Sequence, residues 1–275
     1  MKTIRLWAGC GVSLLFLAVT APSSLGGAEP PIENRTNTAV APAIQWRMHD
    51  RNRPEPPVVT PGPTFSQGAP APSDAEVLFD GKDLSKWQND RGQDAPWVVT
   101  NGYMECAAQQ NIRTRGKWAD FQLHLEFATP APPRGTDQNR GNSGVLINNL
   151  YEVQVLDSYE AKTYPDGQCA AIYGQSPPLV NASKPPGEWQ SYDIIFETPR
   201  WNEQKELVKK AVVTVLHNGV VVQNHFELSG ITDGISRNPA GRYGAPHPPE
   251  VFIDLQYHNS TTRYRNIWIR KLGGQ

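Results

Sequence analysis

Phe121-Gln122-Leu123-His124-Leu125-Glu126-Phe127 alternates apolar and polar side chains without a break. Successive side chains of a strand point to opposite faces, so Phe121, Leu123, Leu125 and Phe127 share one face and Gln122, His124 and Glu126 the other. The stretch reads as a strand with one buried and one wet face, His124 being a solvated residue of the wet face. Working outward, Val99-Thr100-Asn101-Gly102-Tyr103 and Leu216-His217-Asn218-Gly219-Val220 each place an Asn-Gly pair between apolar runs. Both predict tight hairpins, because the turn that suits strand twist needs positive φ at its two central residues. His217, beside the second turn, reads as structural. Beyond the N-terminal leader no run of ten or more residues has convincing helical periodicity. Residues 201–210 come nearest, and their charges suit an exposed loop or a short helical turn. Short alternating segments from Asp74 onward, about 200 residues in all, predict one all-β domain over 74–275, a sandwich or barrel.

Two of these segments carry reactive groups on the face opposite the core. In Tyr151-Glu152-Val153-Gln154-Val155-Leu156-Asp157, Tyr151, Val153 and Val155 pack inward while Glu152 and Gln154 point the other way. In Val251-Phe252-Ile253-Asp254-Leu255-Gln256-Tyr257-His258, the set Val251, Ile253, Leu255 and Tyr257 reads as core, which leaves Asp254, Gln256 and His258 on the reverse face. If the strands are neighbours, a Glu, a His and two Gln converge on one sheet surface.

The chain opens Met1-Lys2-Thr3-Ile4-Arg5, continues through a small and apolar stretch to Ala21, and reaches Gly26-Gly27-Ala28. Residues 1–28 read as a secretory signal peptide, which places the mature protein in the periplasm or outside the cell. The apolar run falls short of the roughly 20 residues of a spanning helix, so no membrane span is expected in the mature protein. Ala8-Gly9-Cys10 has small residues before a thiol, but no apolar region precedes it, which argues against lipidation. Residues 29–73 are dense in Pro and read as an extended tether, in which Ile44-Gln45-Trp46-Arg47-Met48-His49 is either an incidental apolar cluster or one that docks on the domain or a partner. Export leaves Cys106 and Cys169 either paired or as two buried thiols, and spacing does not decide between them.

With 26 Lys and Arg against 27 Asp and Glu, the basic excess of a nucleic-acid binder is missing. Eight Trp and nine Tyr suit the apolar ring faces of carbohydrate, although the usual fate of such side chains is the core. A retaining glycosidase needs two carboxyl groups about 5 Å apart. Four residues on from Glu152 stands Leu156, Asp157 is out of phase, and Gln154 fills the intervening place, so only Asp254 could supply a second carboxylate. One carboxylate, one imidazole and several amides suit another task, moving a proton beside a carbonyl while hydrogen bonds hold a polar substrate. A solvated polar sheet face is the alternative. No cofactor is called for and no compact metal-ligand motif is present, although Glu, Asp and His from separate strands could still form a metal site.

Val77-Leu78-Phe79-Asp80-Gly81-Lys82-Asp83-Leu84-Ser85-Lys86-Trp87, Gly141-Asn142-Ser143-Gly144-Val145, the Tyr151 to Asp157 strand, Ala171-Ile172-Tyr173-Gly174, Pro185-Pro186-Gly187-Glu188-Trp189 and Arg265-Asn266-Ile267-Trp268-Ile269 occur in that order. Together they resemble the 3-keto-disaccharide hydrolase family, whose members are also described as 3-keto-glucoside 1,2-lyase and 3-keto-2-hydroxyglucal hydratase domains. The resemblance implies a concanavalin A-like jelly roll, two curved antiparallel sheets with the site on the concave face. It implies a sugar already oxidised to a ketone at carbon 3, which acidifies the hydrogen on carbon 2 and allows cleavage by elimination and hydration. A sugar 3-dehydrogenase is then implied as a pathway partner. Carried onto this chain, the resemblance makes Glu152 and His258 the proton-transfer pair, Gln154 and Gln256 orienting groups and Arg265 a stabiliser of the enolate. Asn142, Asp157 and Tyr173 are hydroxyl ligands, with a turn role open for Asn142 and a core role for Trp189. After Leu255-Gln256 the sequence Tyr257-His258-Asn259-Ser260 departs from the family's usual form, an acid before the His and a Gly after it. A non-catalytic carbohydrate-binding module and an interaction domain on a stalk are the competing classes.

Overall fold

The computed structural model describes residues 46–63, 66–232, 243 and 245–273. The stretch read as a leader, Cys10 and the first part of the Pro-rich stretch lie outside them. Among the described residues fifteen strands occur: β1 (Glu76–Phe79), β2 (Trp87–Gln88), β3 (Val98–Thr100), β4 (Tyr103–Glu105), β5 (Ile112–Thr114), β6 (Phe121–Ala128), β7 (Asn142–Ile147), β8 (Tyr151–Leu156), β9 (Gln190–Glu197), β10 (Arg200–Trp201), β11 (Leu207–Lys209), β12 (Val212–His217), β13 (Val220–Glu227), β14 (Ile253–Leu255) and β15 (Arg263–Lys271). They form an eight-stranded sheet ordered β13-β12-β9-β6-β15-β4-β3 with β1 also on β15, a five-stranded sheet ordered β2-β5-β14-β7-β8, and the ribbon β10-β11. The named pairs are antiparallel, so the protein is the expected all-β jelly-roll sandwich.

Alternation builds the core. Phe121, Leu123, Leu125 and Phe127 of β6 are fully buried and share one core with Tyr151, Val153 and Val155 of β8. Tyr151 meets Phe196 of β9 at a ring separation of 5.8 Å. Two buried hydrogen bonds tie the sheets together: Tyr192 Oη donates to the Gln154 carbonyl at 2.6 Å, and the hydroxyls of Ser143 and Tyr264 share a hydrogen bond of 2.6 Å. The anticipated turns form as read, with φ of 48° and 76° at Asn101-Gly102 and 51° and 79° at Asn218-Gly219. His217 is a buried structural residue bonded to Gln190 Oε1 at 2.9 Å, and burial, with Lys184, pushes its imidazole down to about 3.

Three readings change. Residues 201–210 form most of the ribbon β10-β11 rather than a loop or helical turn. The outer face of β6 is dry: His124 is fully buried, stacked on Trp268 at 5.0 Å and bonded through Nδ1 to Asp193 at 2.8 Å. Alternation assigns a residue to a face and is silent about what covers that face. Here part of the cover is the Pro-rich stretch itself. From Trp46 it is not a uniformly extended tether but a strap along the domain, with turns at residues 47–53 and 66–69 and none over 54–63. The Met48 side chain lies over Gly174, Val58 pairs with Asn181, the Gly68 amide donates to Glu126 Oε1 at 2.6 Å, and Ala69 accepts from Asn266 at 3.0 Å. Cys106 and Cys169 are free and buried, and burial raises both thiols, Cys169 to about 11.

Candidate active site

The outer face of the five-stranded sheet is organised by β7, which runs between β8 and β14. The two strands read from the sequence are therefore next-nearest neighbours, and what lets them meet is a missing side chain. Gly144 pairs with Gln154 on one side, and on the other its carbonyl accepts the Gln256 amide at 3.0 Å. A Cβ on Gly144 would lie 2.7 Å from Glu152 Oε1 and 3.4 Å from Gln256 Oε1. The carboxyl and the amide lean over the glycine from opposite sides. The position is fixed from below, where Ser143 donates to the Gln256 carbonyl at 2.5 Å.

Glu152, Gln154, Gln256 and His258 line a single cavity of about 110 Å³ together with Asn142 and Tyr173. Its wall is completed by Gln138, which sequence reasoning missed. Gln138 belongs to a single 3-10 turn, Asp137–Asn139, and no motif or periodicity marked it. Its carbonyl accepts from Asn142 Nδ2 at 2.8 Å and its Oε1 from Gln154 Nε2 at 3.2 Å. Asn142 Oδ1 and Gln154 Oε1 are left buried without partners. An unmet buried acceptor costs about 1–3 kcal/mol, so both favour a ligand that brings hydroxyl donors. Tyr173 is delivered by residues 170–173, which pair along the free edge of β8, and its hydroxyl meets that of Tyr164 at 2.5 Å. The strap adds His49, whose ring sits edge-on to Tyr164 at 4.0 Å and to Tyr173 at 5.1 Å.

Glu152 is 5 % exposed, and among the described residues no cation or donor meets its carboxyl. Burial alone pushes its pKa up to about 8, because a carboxylate without water or a partner is the unfavoured form. Asp254 shares the face but not the cavity. Leu146 pairs with both Asp254 and Glu152 and so stands between them, while Arg113 binds Asp254 at 3.0 Å. Burial pushes Asp254 up to about 6 against the pull of Arg113.

Two expected ligands belong elsewhere. Asp157 is held by Arg140 at 2.6 and 2.9 Å and does not line the cavity. Arg265 lies on the outer face of the eight-stranded sheet, across the whole sandwich from Glu152. It donates to Glu126 Oε2 at 2.7 Å and stacks over Trp189 at 4.1 Å. The β-bulge after Arg265, with Asn266 at φ 46°, keeps Tyr264 and Ile267 in the core and Arg265 out of it. Trp189 is a half-buried platform for that guanidinium and not a core residue. Among the described residues no group of three or more His, Cys, Asp or Glu is placed to hold a metal ion.

Residues 74–270 match the family described as the 3-keto-alpha-glucoside-1,2-lyase-like domain. The chain belongs to this family. A solved candidate glycosyl hydrolase from Parabacteroides distasonis is 44 % identical over 81 % of this chain and 94 % of its own, with a TM-score of 0.69. A second from that organism is 26 % identical over 72 % and 99 %, with a TM-score of 0.50. A third, at 19 % identity over 73 % and 94 % with a TM-score of 0.53, shares the fold. No curated protein matches the chain. Family membership and this cavity of amides, phenol and carboxyl describe a carbohydrate-acting enzyme.

Proposed function

We propose that the cavity takes a glycoside whose sugar is oxidised at carbon 3, and that Glu152 and His258 cleave it by elimination. The observation that carries this reading is the lone carboxyl: among the described residues Glu152 has no second carboxylate in its cavity and no partner to stabilise its charge. Double-displacement hydrolysis needs two such groups, whereas proton abstraction beside a ketone needs one base matched to the working pH. Glu152 takes the hydrogen from carbon 2. The electrons of that bond form the carbon 1 to carbon 2 double bond as the glycosidic oxygen leaves carbon 1, and that oxygen takes a proton from His258, which is exposed at the mouth. Addition of water across the double bond returns a free 3-keto sugar. Gln256, whose side-chain amide has no partner among the described residues, is free to donate to the carbon 3 oxygen, the task that the family resemblance gave to Arg265. Asn142, Gln154 and Tyr173 bind hydroxyls. The reading places the mature protein outside the cytoplasm, downstream of an oxidoreductase that makes the ketone.

A 3-keto disaccharide incubated with the protein in deuterated water and followed by NMR tests it. Cleavage with deuterium at carbon 2 is the expected result. Cleavage without deuterium, or none across several linkages, would overturn it, the second leaving a binding module. The fit around Gly144 gives a further expectation. Gly144→Ala needs no left-handed backbone and should fold with nearly unchanged Tm, yet its methyl displaces the Glu152 carboxyl, so kcat/KM should fall about a hundredfold. Wild-type turnover in a folded variant would sink the geometry.

A further inference from the structure

A second cavity, of about 290 Å³, adjoins the Glu152 cavity along three chain segments. Asn139 follows Gln138, Gly141 precedes Asn142, and Asn259 follows His258, so the two cavities lie one residue apart at each of these places. We propose that this second cavity holds the leaving-group half of the glycoside and favours a leaving group that carries a carboxylate. The inference rests on the function proposed above and extends it from the reacting sugar to its partner.

Size supports the first half of the proposal. Sites for small ligands run to about 300–1,000 Å³, and the Glu152 cavity falls well short of that alone. It has room for the reacting sugar ring at most, so a disaccharide must extend beyond it. The proton donor sets the direction, because the departing oxygen has to lie beside His258. The residue after His258, Asn259, is part of the second cavity and sits in a left-handed turn at φ 54° that carries the chain along its wall. Pro130, Ala131 and Pro132 give the lining an apolar wall, suited to a sugar ring face. Gly141 holds this wall against the start of β7, since a Cβ there would come within 2.8 Å of Pro130 Cδ.

Charge supports the second half. Among the described residues the lining of the second cavity contains one cation, Arg134, and no carboxylate. Arg134 is exposed and makes no ion pair or hydrogen bond among the described residues, unlike Arg140, which is committed to Asp157. Its planar fork of donors matches a carboxylate in two-pronged fashion. Asn139, Asn259 and Ser260 supply donors and acceptors for the remaining hydroxyls. A uronic acid linked to the 3-keto sugar fits this set.

The test compares 3-keto-glucosides with glucose or glucuronate as leaving group, in the wild type and in Arg134→Ala, Arg134→Lys and Arg134→Glu. The wild type is expected to prefer glucuronate about tenfold in kcat/KM, mainly through KM, the size of one charge-assisted hydrogen bond. Arg134→Ala should bring that ratio to about one, Arg134→Lys should restore part of it, and Arg134→Glu should invert it. A wild-type ratio near one, or a ratio that survives in Arg134→Ala, would overturn the proposal while cleavage of both substrates upheld the chemistry. Calorimetric titration with free glucuronate and free glucose keeps the two questions separate. If neither glycoside is cleaved, the function above fails, and the subsite stands only if glucuronate binds the wild type more tightly than glucose and Arg134→Ala removes the difference.

Discussion

Glu152→Gln is expected to lower turnover of a 3-keto glycoside by at least a thousandfold, the order of a lost general base, while raising the stability of the folded protein. The two effects have one cause. In the native protein burial holds the Glu152 proton to about pH 8, whereas an unfolded chain releases it near the ordinary glutamate value of 4.5. Between those values the native state binds more protons than the unfolded state, so stability falls as pH rises through the window and levels off above about 8. Every tenfold gain in proton affinity on folding corresponds to about 1.4 kcal/mol, and relaxation around the charge reduces the total to something on the order of 3 kcal/mol. The amide variant keeps the shape and omits the titration. Its Tm should match that of the wild type near pH 4.5 and exceed it increasingly up to pH 8. As the base must be ionised and the acid protonated, wild-type kcat/KM should be bell-shaped, climbing tenfold per pH unit on its acid limb. Thermal unfolding from pH 4.5 to 9 beside the pH profile checks both, and an amide variant that is active, or no more stable at pH 8, would remove Glu152 from the role of buried base.

The largest loss of stability is expected on the opposite face of the molecule. Glu126 is fully buried, and although burial works to raise its pKa, His124 with Nε2 at 3.8 Å and hydrogen bonds from Asn266, the Gly68 amide and Arg265 outweigh it and hold the carboxyl at about 2. Glu126→Ala strips one acceptor from three donors at once and leaves a guanidinium unpaired. Removing one partner of a buried ionic cluster costs about 3–5 kcal/mol, and urea unfolding at pH 7 should show a loss of that size. The depressed carboxyl stabilises the fold fully above pH 4.5, and its contribution is lost as pH falls toward 2. Glu126→Gln should therefore lose less than Glu126→Ala at neutral pH and show a flatter acid limb. Equal stability of all three proteins at pH 7 would mean that solvent, not these donors, satisfies the carboxyl.

The sandwich was legible because its strands alternate and its hairpins carry Asn-Gly at the turn, both local features. Gly141 to Val145 and Tyr151 to Asp157 likewise announced the strands that carry Asn142, Glu152 and Gln154. What the sequence left hidden is what covers a face and what stands between two strands. His124 and Glu126 alternate like wet residues, yet Trp268 and the strap dry them. Arg265 sits in a shared motif, yet a bulge and an ion pair with Glu126 commit it to the far side. Gln138 could not be found from pattern, since it lies in a single 3-10 turn and is tied to the cavity by hydrogen bonds from Asn142 to its carbonyl and from Gln154 to its side chain.

The strap behaves as a ligand that is never released. Because residues 46–69 are joined covalently to the body they bind, their effective concentration stays in the range of millimolar or higher for short connections, and many weak contacts suffice to hold them. One end carries His49 beside Tyr173 at the cavity, and the other brings Gly68 and Ala69 to the Glu126 cluster behind the opposite sheet. The family match begins only at residue 74. A protein cut at that boundary would keep all fifteen described strands and lose the piece of chain that ties the rim of the cavity to the charged cluster on its far side.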